Sequence, residues 1–552
     1  MNQDVQAKDG DDVSGVKRLL ELPEETTLPE HKRAKTSGGG IPDIGPGKVP
    51  DPPGTSDATR KPQRGKQNEK NKGRRRGTRP PVEDGSDRPS TPRLPKKQCA
   101  VLIGFSGTNY AGMQIQPSVR TIEGVLFEAF VKSGAVSEEN SDDPVKISLA
   151  RAARTDAGVH AAGNVVNMKL ITSPPGVDDL IGAVNYNLPP DIRVWDIAQI
   201  PLTSLSQIRV QNSFNSRSSC DSRKYIYFFP TYLLIPPRPG SGLFYSLRKQ
   251  NGESPVHQFW GSLDQTSGDA SGDEVSPQTK LPARPEDLQR KRAWRIGEVE
   301  LNALRAAVKH FEGTHNFHNF TVNKDFRDRS NQRHMKDIQV ADPVVHGETE
   351  WISVLLHGQS FMLHQRKMMT ALILSVRTGT PPTVINQMYG PRGVMVPKMP
   401  ALGLLLEYPV FEAYNRKIAA ANERIRDPND PEYRHPIDFE IHREKIEKFK
   451  NEHIYSRMRA IEEKQAVFDA WIHTIDAYTG QDLLYLNHRG NIPSESVVKK
   501  GERRANPFKE RKQFNSTDFV GGSVSSSMPM LEMDLGEEEE ELDEKQTEEM
   551  DG

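Results

Sequence analysis

The feature that most constrains the fold is the division of the chain into a middle that can build a core and two ends that cannot. Residues 1–95 are dominated by Pro, Gly, Asp, Lys and Arg with scarcely any aromatic residue, so they cannot bury enough apolar surface to offset chain entropy. Disorder is expected there. Ten Lys and Arg stand between Arg60 and Arg79 against the single Glu69, and Lys32, Arg33 and Lys35 form a second cluster. Such tracts serve as a nuclear address or as a nucleic-acid contact; the bland alternative is a solvated tail. The other end is opposite in sign, with Glu537 to Glu541 in succession, so the net charge of −1 averages two opposed tails.

Order is expected to begin at the apolar run Cys99 to Phe105, bounded by Ser106 and Gly107, which reads as a buried strand. A helix follows, with Thr121 as N-cap and Ile122, Leu126, Phe127 and Phe130 at helical spacing. Strand-like runs at Val145 to Leu149, Asn164 to Leu170, Ile192 to Ile197 and Arg223 to Phe229, with a helix near Asp178 to Tyr186, make a first α/β half over 96–232. Polar, low-complexity text between Asn251 and Lys291 marks 233–295 as an insertion or linker. The second half, 296–412, opens with a helix carrying Leu301, Leu304, Val308 and Phe311 on one face. Strands at Asp337 to Val340 and Trp351 to Leu356 lead on to a helix near Lys367 to Arg377. Over 413–480 a stripe of Ile446, Phe449, Ile454, Met458 and Ile461 predicts helical decoration packed on the domain, and 481–552 reads as a disordered tail with an acidic end.

Periodicity alone thus gives a mixed α/β (α+β) class. No run of about 18 apolar residues and no secretory signal is present, so a soluble intracellular protein without a membrane partner is expected. Two cysteines, Cys99 and Cys220, exclude a disulfide framework or a Cys-rich zinc site. His310, His315 and His318 have an uncommon ligand spacing with no Cys or acidic partner at a telling distance, so no metal is expected.

The segment Arg151 to Ala161 lies between two strand-like runs. Its Asp156-Ala157-Gly158 favours a tight turn, because Gly158 tolerates positive φ and an Asp can bond its own backbone. A lone reactive carboxylate is the alternative. The segment resembles the RTDAGVHA signature of the TruA family of tRNA pseudouridine synthases. Further motifs resemble the family in the same order: Gly107 to Gln114, Asn185 to Pro189, Arg223-Lys224-Tyr225, Phe311 to Phe317, Ser360 to Gln365 and Pro400 to Leu404. They span residues 96 to 412, and Gly112-Met113-Gln114 is closer to a eukaryotic branch of the family than to the bacterial one.

The resemblance implies two similar mixed α/β halves whose antiparallel sheets join across a central RNA-binding cleft, in a chain that commonly dimerises. It implies isomerisation of uridine to pseudouridine in tRNA, in and near the anticodon stem. The ribose C1′–N1 bond is broken, the uracil turns, and C1′ is rejoined to C5; the atoms are the same before and after, so no cofactor is required. By resemblance Asp156 is the catalytic carboxylate, acting covalently or by supporting an unsaturated sugar. Tyr225 stacks on the uracil and takes part in removing the C5 proton, and Arg366 matches the arginine that pairs with the Asp. Substrate contacts are expected from Tyr225, Arg154, Arg223 and Lys224, with Arg151 and Arg217 as further candidates for a basic cleft. Contacts to the RNA backbone must offset about a few kcal/mol for extruding the target base.

One departure stands out. The family places an apolar residue between Gln and Arg in the late motif, whereas this chain reads Leu363-His364-Gln365-Arg366-Lys367. Losing a residue within a helix rotates what precedes it by about 100°, so either slack before the helix lets Arg366 still face Asp156 or the true chain has another residue here. Two rival readings follow: an inactive RNA-binding or RNA-folding protein on the same scaffold, and a synthase acting mainly on small nuclear or messenger RNA. The basic clusters point to the nucleus, with a mitochondrial form as the alternative.

Overall fold

In β1 (Lys97–Phe105) every residue from Cys99 to Phe105 is buried, because this strand is covered on both faces. Cys99, Val101, Ile103 and Phe105 pack with Ile122, Leu126 and Phe130 of the helix Ile122–Lys132, while Ala100 and Leu102 pack with Phe439 and Phe449. Successive side chains of a strand point to opposite faces, so two-sided burial reads as an unbroken apolar run. The computed structural model that shows this describes residues 94–200, 214–253, 255–261, 285–322, 324–425, 427, 433–499, 501, 502, 504 and 508. The basic clusters and the acidic end lie outside the described residues.

The remaining strands are β2 (Ala150–Arg151), β3 (His160–Leu170), β4 (Ile192–Ile200), β5 (Ser222–Pro230), β6 (Gly313–Asn316), β7 (Gln332–Val340), β8 (Val344–His346), β9 (Thr349–Gly358), β10 (Gly393–Val394), β11 (Leu404–Val410) and β12 (Val497–Val498). Ten of them form one sheet in the order β4-β1-β3-β11-β5-β9-β7-β6, with β2 added on β3 and β8 on β9; β10 and β12 form a separate ribbon. All neighbours in the large sheet are antiparallel except β3 and β11, which run parallel with Leu405 opposite His160 and Leu406 opposite Ala161. That pair is the seam of the fold. β5, which sequence order puts at the end of the first half, is hydrogen-bonded to β11 and β9 and so belongs to the second half's part of the sheet.

Several sequence expectations need correction. Val145 to Leu149 is not a strand: Pro144–Ile147 is a 3-10 turn whose Asp143 side chain accepts from Val145 N–H at 2.8 Å, and Ser148 sits at φ 56°. A capping Asp followed by Pro starts a helical turn and overrides the β-branched residues behind it. The stretch 233–295 is more than a linker, since Leu233, Leu234, Leu243, Phe259 and Trp260 are buried in the second half's core and the helices Gly242–Asn251 and Pro285–Ala293 fall within it. The segment from 481 is not tail throughout: Leu483, Tyr485, Leu486 and Ile492 join that same core.

The C-terminal helices do more than decorate. Arg443–Phe449, a π-helical turn Lys450–Tyr455 and Ser456–Gln465 follow one another without a break. Ile446, Phe449 and Ile454 lie on the first half's sheet face, and Met458 and Ile461 pack into the second half's core. The extension therefore straps the two halves together. Buried Arg377 and Asp476 add a bidentate pair at 2.6 and 3.1 Å between the helices Lys367–Thr378 and Val467–Asp476. No helix among the described residues is long and apolar enough to cross a membrane.

Candidate active site at the seam of the sheet

The register sets one row of side chains across the seam: Ala161 of β3, Leu406 of β11, Tyr225 of β5 and Leu356 of β9. Above this row hangs the loop joining β2 to β3. It ends in a tight turn in which Val159 N–H donates to Asp156 O at 3.2 Å and Gly158 takes φ 77°, as the Asp-Ala-Gly pattern predicts. The segment Ser106 to Gln114 cradles this loop. Met113 N–H donates to Thr155 O at 3.1 Å and Gly158 N–H to Tyr110 O at 3.3 Å. Gly112, at φ 90°, lies so close that a Cβ there would stand 2.8 Å from Thr155 O. The first motif thus acts as the support of the second.

Asp156 does not spend its carboxylate on its own turn. Arg366 Nη1 donates to its Oδ2 at 2.7 Å, across 210 residues of sequence, and Arg366 Nε donates to Met399 O at 2.7 Å. The Arg366 side chain is 3% exposed and that of Asp156 32%, so a buried cation grips a carboxylate that still reaches solvent. Charge-assisted bonds of this kind are the strong ones, and the planar guanidinium held at Nε cannot swing freely. The late motif delivers Arg366 to Asp156 from the threshold of a helix and not from its interior. Residues 359–366 form a non-helical turn in which His364 takes φ 57°, and Arg366 is the N-cap of Lys367–Thr378 rather than part of its interior.

His364 borders the carboxylate, and Tyr225 lies within its electrostatic reach. His364 Nε2 lies 4.0 Å from Asp156 Oδ2 and 3.4 Å from Lys398 Nζ. Burial, then the charges of Lys398, Arg366 and Lys367, hold its pKa well below the usual histidine value, so the ring is neutral. Tyr225 meets Phe361 edge to face, with centroids 4.7 Å apart, and burial pushes its phenol up to about 12. The phenol is therefore protonated at neutral pH.

The other sequence candidates divide. Arg223 shares the face of Tyr225, donating from Nη2 to Ala152 O at 2.8 Å and from Nη1 to Gln359 O at 3.2 Å, so it staples the two halves together. Lys224 points to the opposite face, with Nζ 3.2 Å from Tyr408 Oη, and Tyr408 stacks on Phe439. Strand alternation thus puts Lys224 on the face away from Tyr225. Arg151 is bidentate with Glu123, a fully buried carboxylate that also accepts from Ile115 N–H at 3.1 Å. Arg154 is half-buried on the Asp156 loop and Arg217 is exposed in the turn before β5. His315 Nε2 lies 2.7 Å from Glu312 O, His318 Nε2 2.8 Å from Gly390 O, and His310 Nδ1 3.3 Å from Asn386 Oδ1, so the three histidines tie down separate loops. Sequence reading missed the roles of His364, Phe361 and Lys398; only the first two lay in a motif that flagged them.

A family model described as tRNA pseudouridine synthase matches residues 307–412. The tRNA pseudouridine synthase 1 of Candida glabrata is 40% identical over 427 residues, covering 72% of this chain and 73% of the relative. That of Saccharomyces cerevisiae is 43% identical over 367 residues, 61% of this chain and 65% of the relative. The tRNA pseudouridine(27/28) synthase of the same yeast is 38% identical over 341 residues, 58% of this chain and 85% of the relative. With a mixed sheet joined at a seam and an aspartate held over it, the chain belongs to the TruA family of pseudouridine synthases. It is a tRNA-modifying isomerase, converting uridine to pseudouridine.

Proposed function

We propose that Asp156 is the catalytic carboxylate of this synthase, oriented by Arg366, with Tyr225 as the face on which the extruded uracil rests. The observation that carries the reading is the 2.7 Å bond from a buried Arg366 to a partly exposed Asp156 beside Tyr225. Arg366 fixes one oxygen of Asp156, and the carboxylate then addresses the sugar or base of the target nucleotide. Tyr225, its ring braced edge to face by Phe361, serves as the stacking surface. Neutral His364 places no second positive charge on Asp156.

Uridines of the anticodon stem are the favoured targets; the named positions 27/28 of one relative support this. Small nuclear and messenger RNA are further substrates to test, as is assembly into a homodimer. The basic clusters at Lys32 to Lys35 and Arg60 to Arg79 support a nuclear address. The bond from Arg366 to Asp156 counts against the inactive-scaffold reading, which the shortened motif beside Arg366 had favoured. Transfer RNA carrying tritium at uridine C5 tests the site: the parent releases tritium and Asp156→Ala releases none while still binding tRNA. Release by Asp156→Ala at the parent rate would end the assignment.

A further inference from the structure

Arg366 owes its orientation to a carbonyl, and that carbonyl belongs to a segment with no regular secondary structure. Lys398, Met399 and Pro400 offer three successive carbonyls, and each accepts from a different element. Trp471 Nε1 donates to Lys398 O at 3.0 Å, Arg366 Nε to Met399 O at 2.7 Å, and Tyr227 Oη to Pro400 O at 2.6 Å. Met399 itself is fully buried. The same segment carries the Lys398 ammonium that stands 3.4 Å from His364 Nε2, so both neighbours of Asp156 depend on where it lies.

Trp471 comes from the C-terminal extension, in the helix Val467–Asp476, and is 4% exposed. Upstream in the segment, Tyr485 Oη donates to Met395 O at 3.4 Å, so a second residue from beyond the family's two halves holds the same strip. A segment pinned at only one end can slide. Pinned by Tyr227 on the sheet and by Trp471 on the extension, it presents Met399 O at a fixed place, and the planar guanidinium transmits that place to Asp156.

We propose that Trp471 is a positioning residue for the Asp156–Arg366 pair, so that the C-terminal extension completes the active site from behind. The proposal rests on the assignment of Asp156 and Arg366 above. A misplacement of the reacting groups lowers the chemical step without weakening the contacts that bind RNA elsewhere.

The test measures single-turnover tritium release from C5-labelled tRNA, together with the Kd for tRNA and the folded fraction by thermal unfolding. Trp471→Phe keeps an aromatic ring and loses the donor. A second variant carries at position 471 the tryptophan analogue with sulfur in place of the indole N–H, which keeps the shape and deletes the donor alone. Both are combined with Arg366→Lys, which keeps a charge but loses the rigid fork. The expected result is a rate about tenfold lower for each Trp471 variant at unchanged Kd, shrinking to less than twofold in the Arg366→Lys background because the two residues act in series. An equal factor in both backgrounds, or a parent rate with the sulfur analogue, overturns the proposal while leaving the site intact. Asp156→Ala is run alongside: if it retains the parent rate, the site assignment itself fails and the proposal falls with it.

Discussion

Gly112→Ala is the perturbation that most directly asks whether the first motif exists to hold the second. Gly112 sits at φ 90°, and an added Cβ would stand 2.8 Å from Thr155 O and 3.4 Å from both Ala157 N and Asp156 C. All three are backbone atoms, so no side-chain rotation relieves the contact. To reach ordinary contact at 3.4 Å the Asp156 loop must retreat by about 0.6 Å, which also stretches the 3.1 Å bond from Met113 N–H to Thr155 O out of range. A non-glycine held at such a φ adds about 1–3 kcal/mol of strain. A 1 Å misplacement of reacting groups costs about a hundredfold in rate, so roughly tenfold is expected for this shift. Single-turnover tritium release and thermal unfolding read the two effects separately. Gly176→Ala is the control, because Gly176 has φ 76° with nothing within 4 Å of the added carbon; it should lose stability and keep its rate. If Gly112→Ala turns over within twofold of the parent, the cradle does not position Asp156 and the reasoning is wrong.

Three other outcomes follow from the same geometry. Tyr225→Leu removes the ring braced by Phe361 at 4.7 Å; losing a base-stacking surface costs about 1–3 kcal/mol, so single-turnover release should fall about 10- to 100-fold, while the Kd for whole tRNA, set mainly by phosphate contacts, moves little. Retention of the parent rate would remove Tyr225 from the site. Burial raises Glu462 from 4.5 to about 7, with Tyr232 Oη and Phe468 N–H as its donors. The folded state therefore binds this proton more tightly than the unfolded state, and stability is lost as pH rises from about 4.5 through about 7, by about 3 kcal/mol in all. Glu462→Gln should abolish that slope in urea titrations; an unchanged slope would show that another group carries it. Asp476→Ala leaves Arg377, 4% exposed, without its bidentate partner, at a cost of about 3–5 kcal/mol; a loss below 1 kcal/mol in chemical denaturation would mean that the pair does not couple the extension to the second half.

What could be read before folding was what is local. The run Cys99 to Phe105 announces a strand covered on both faces, Thr121 does cap its helix by accepting from Gly124 N–H at 3.3 Å, and Gly158 does take the positive φ that Asp-Ala-Gly requires. Alternation along β5 is equally local: Arg223 and Tyr225 share a face and Lys224 cannot join them. Other features have no local signal at all. The apolar residues Leu483, Tyr485, Leu486 and Ile492 follow no period because a single 3-10 turn and irregular backbone carry them, so a packed segment resembled a tail. The partners of the site are carbonyls as often as side chains, and every residue type offers a carbonyl; nothing in Lys398-Met399-Pro400 marks it as the strip that Trp471, Arg366 and Tyr227 converge on.

The shortened late motif shows how the two kinds of information meet. A deletion inside a helix would have turned Arg366 about 100° away from Asp156, and sequence spacing alone cannot tell a helix interior from its threshold. Here the shortened stretch coincides with irregular backbone: Gln365 accepts Met362 N–H at 2.7 Å through its side chain, His364 takes φ 57°, and Lys367 N–H donates to His364 O at 3.0 Å. Those bonds close a turn that ends on Arg366, leaving the helix Lys367–Thr378 in phase with its core partners, Met368, Met369, Leu372 and Ile373 all buried. The arginine then takes its direction from Met399 O rather than from the helix axis. A site anchored in this way tolerates a change in the length of the motif that delivers its arginine, provided the carbonyl it is anchored to stays in place; sensitivity is thereby moved from the motif to the strip behind it and to Trp471, which holds that strip.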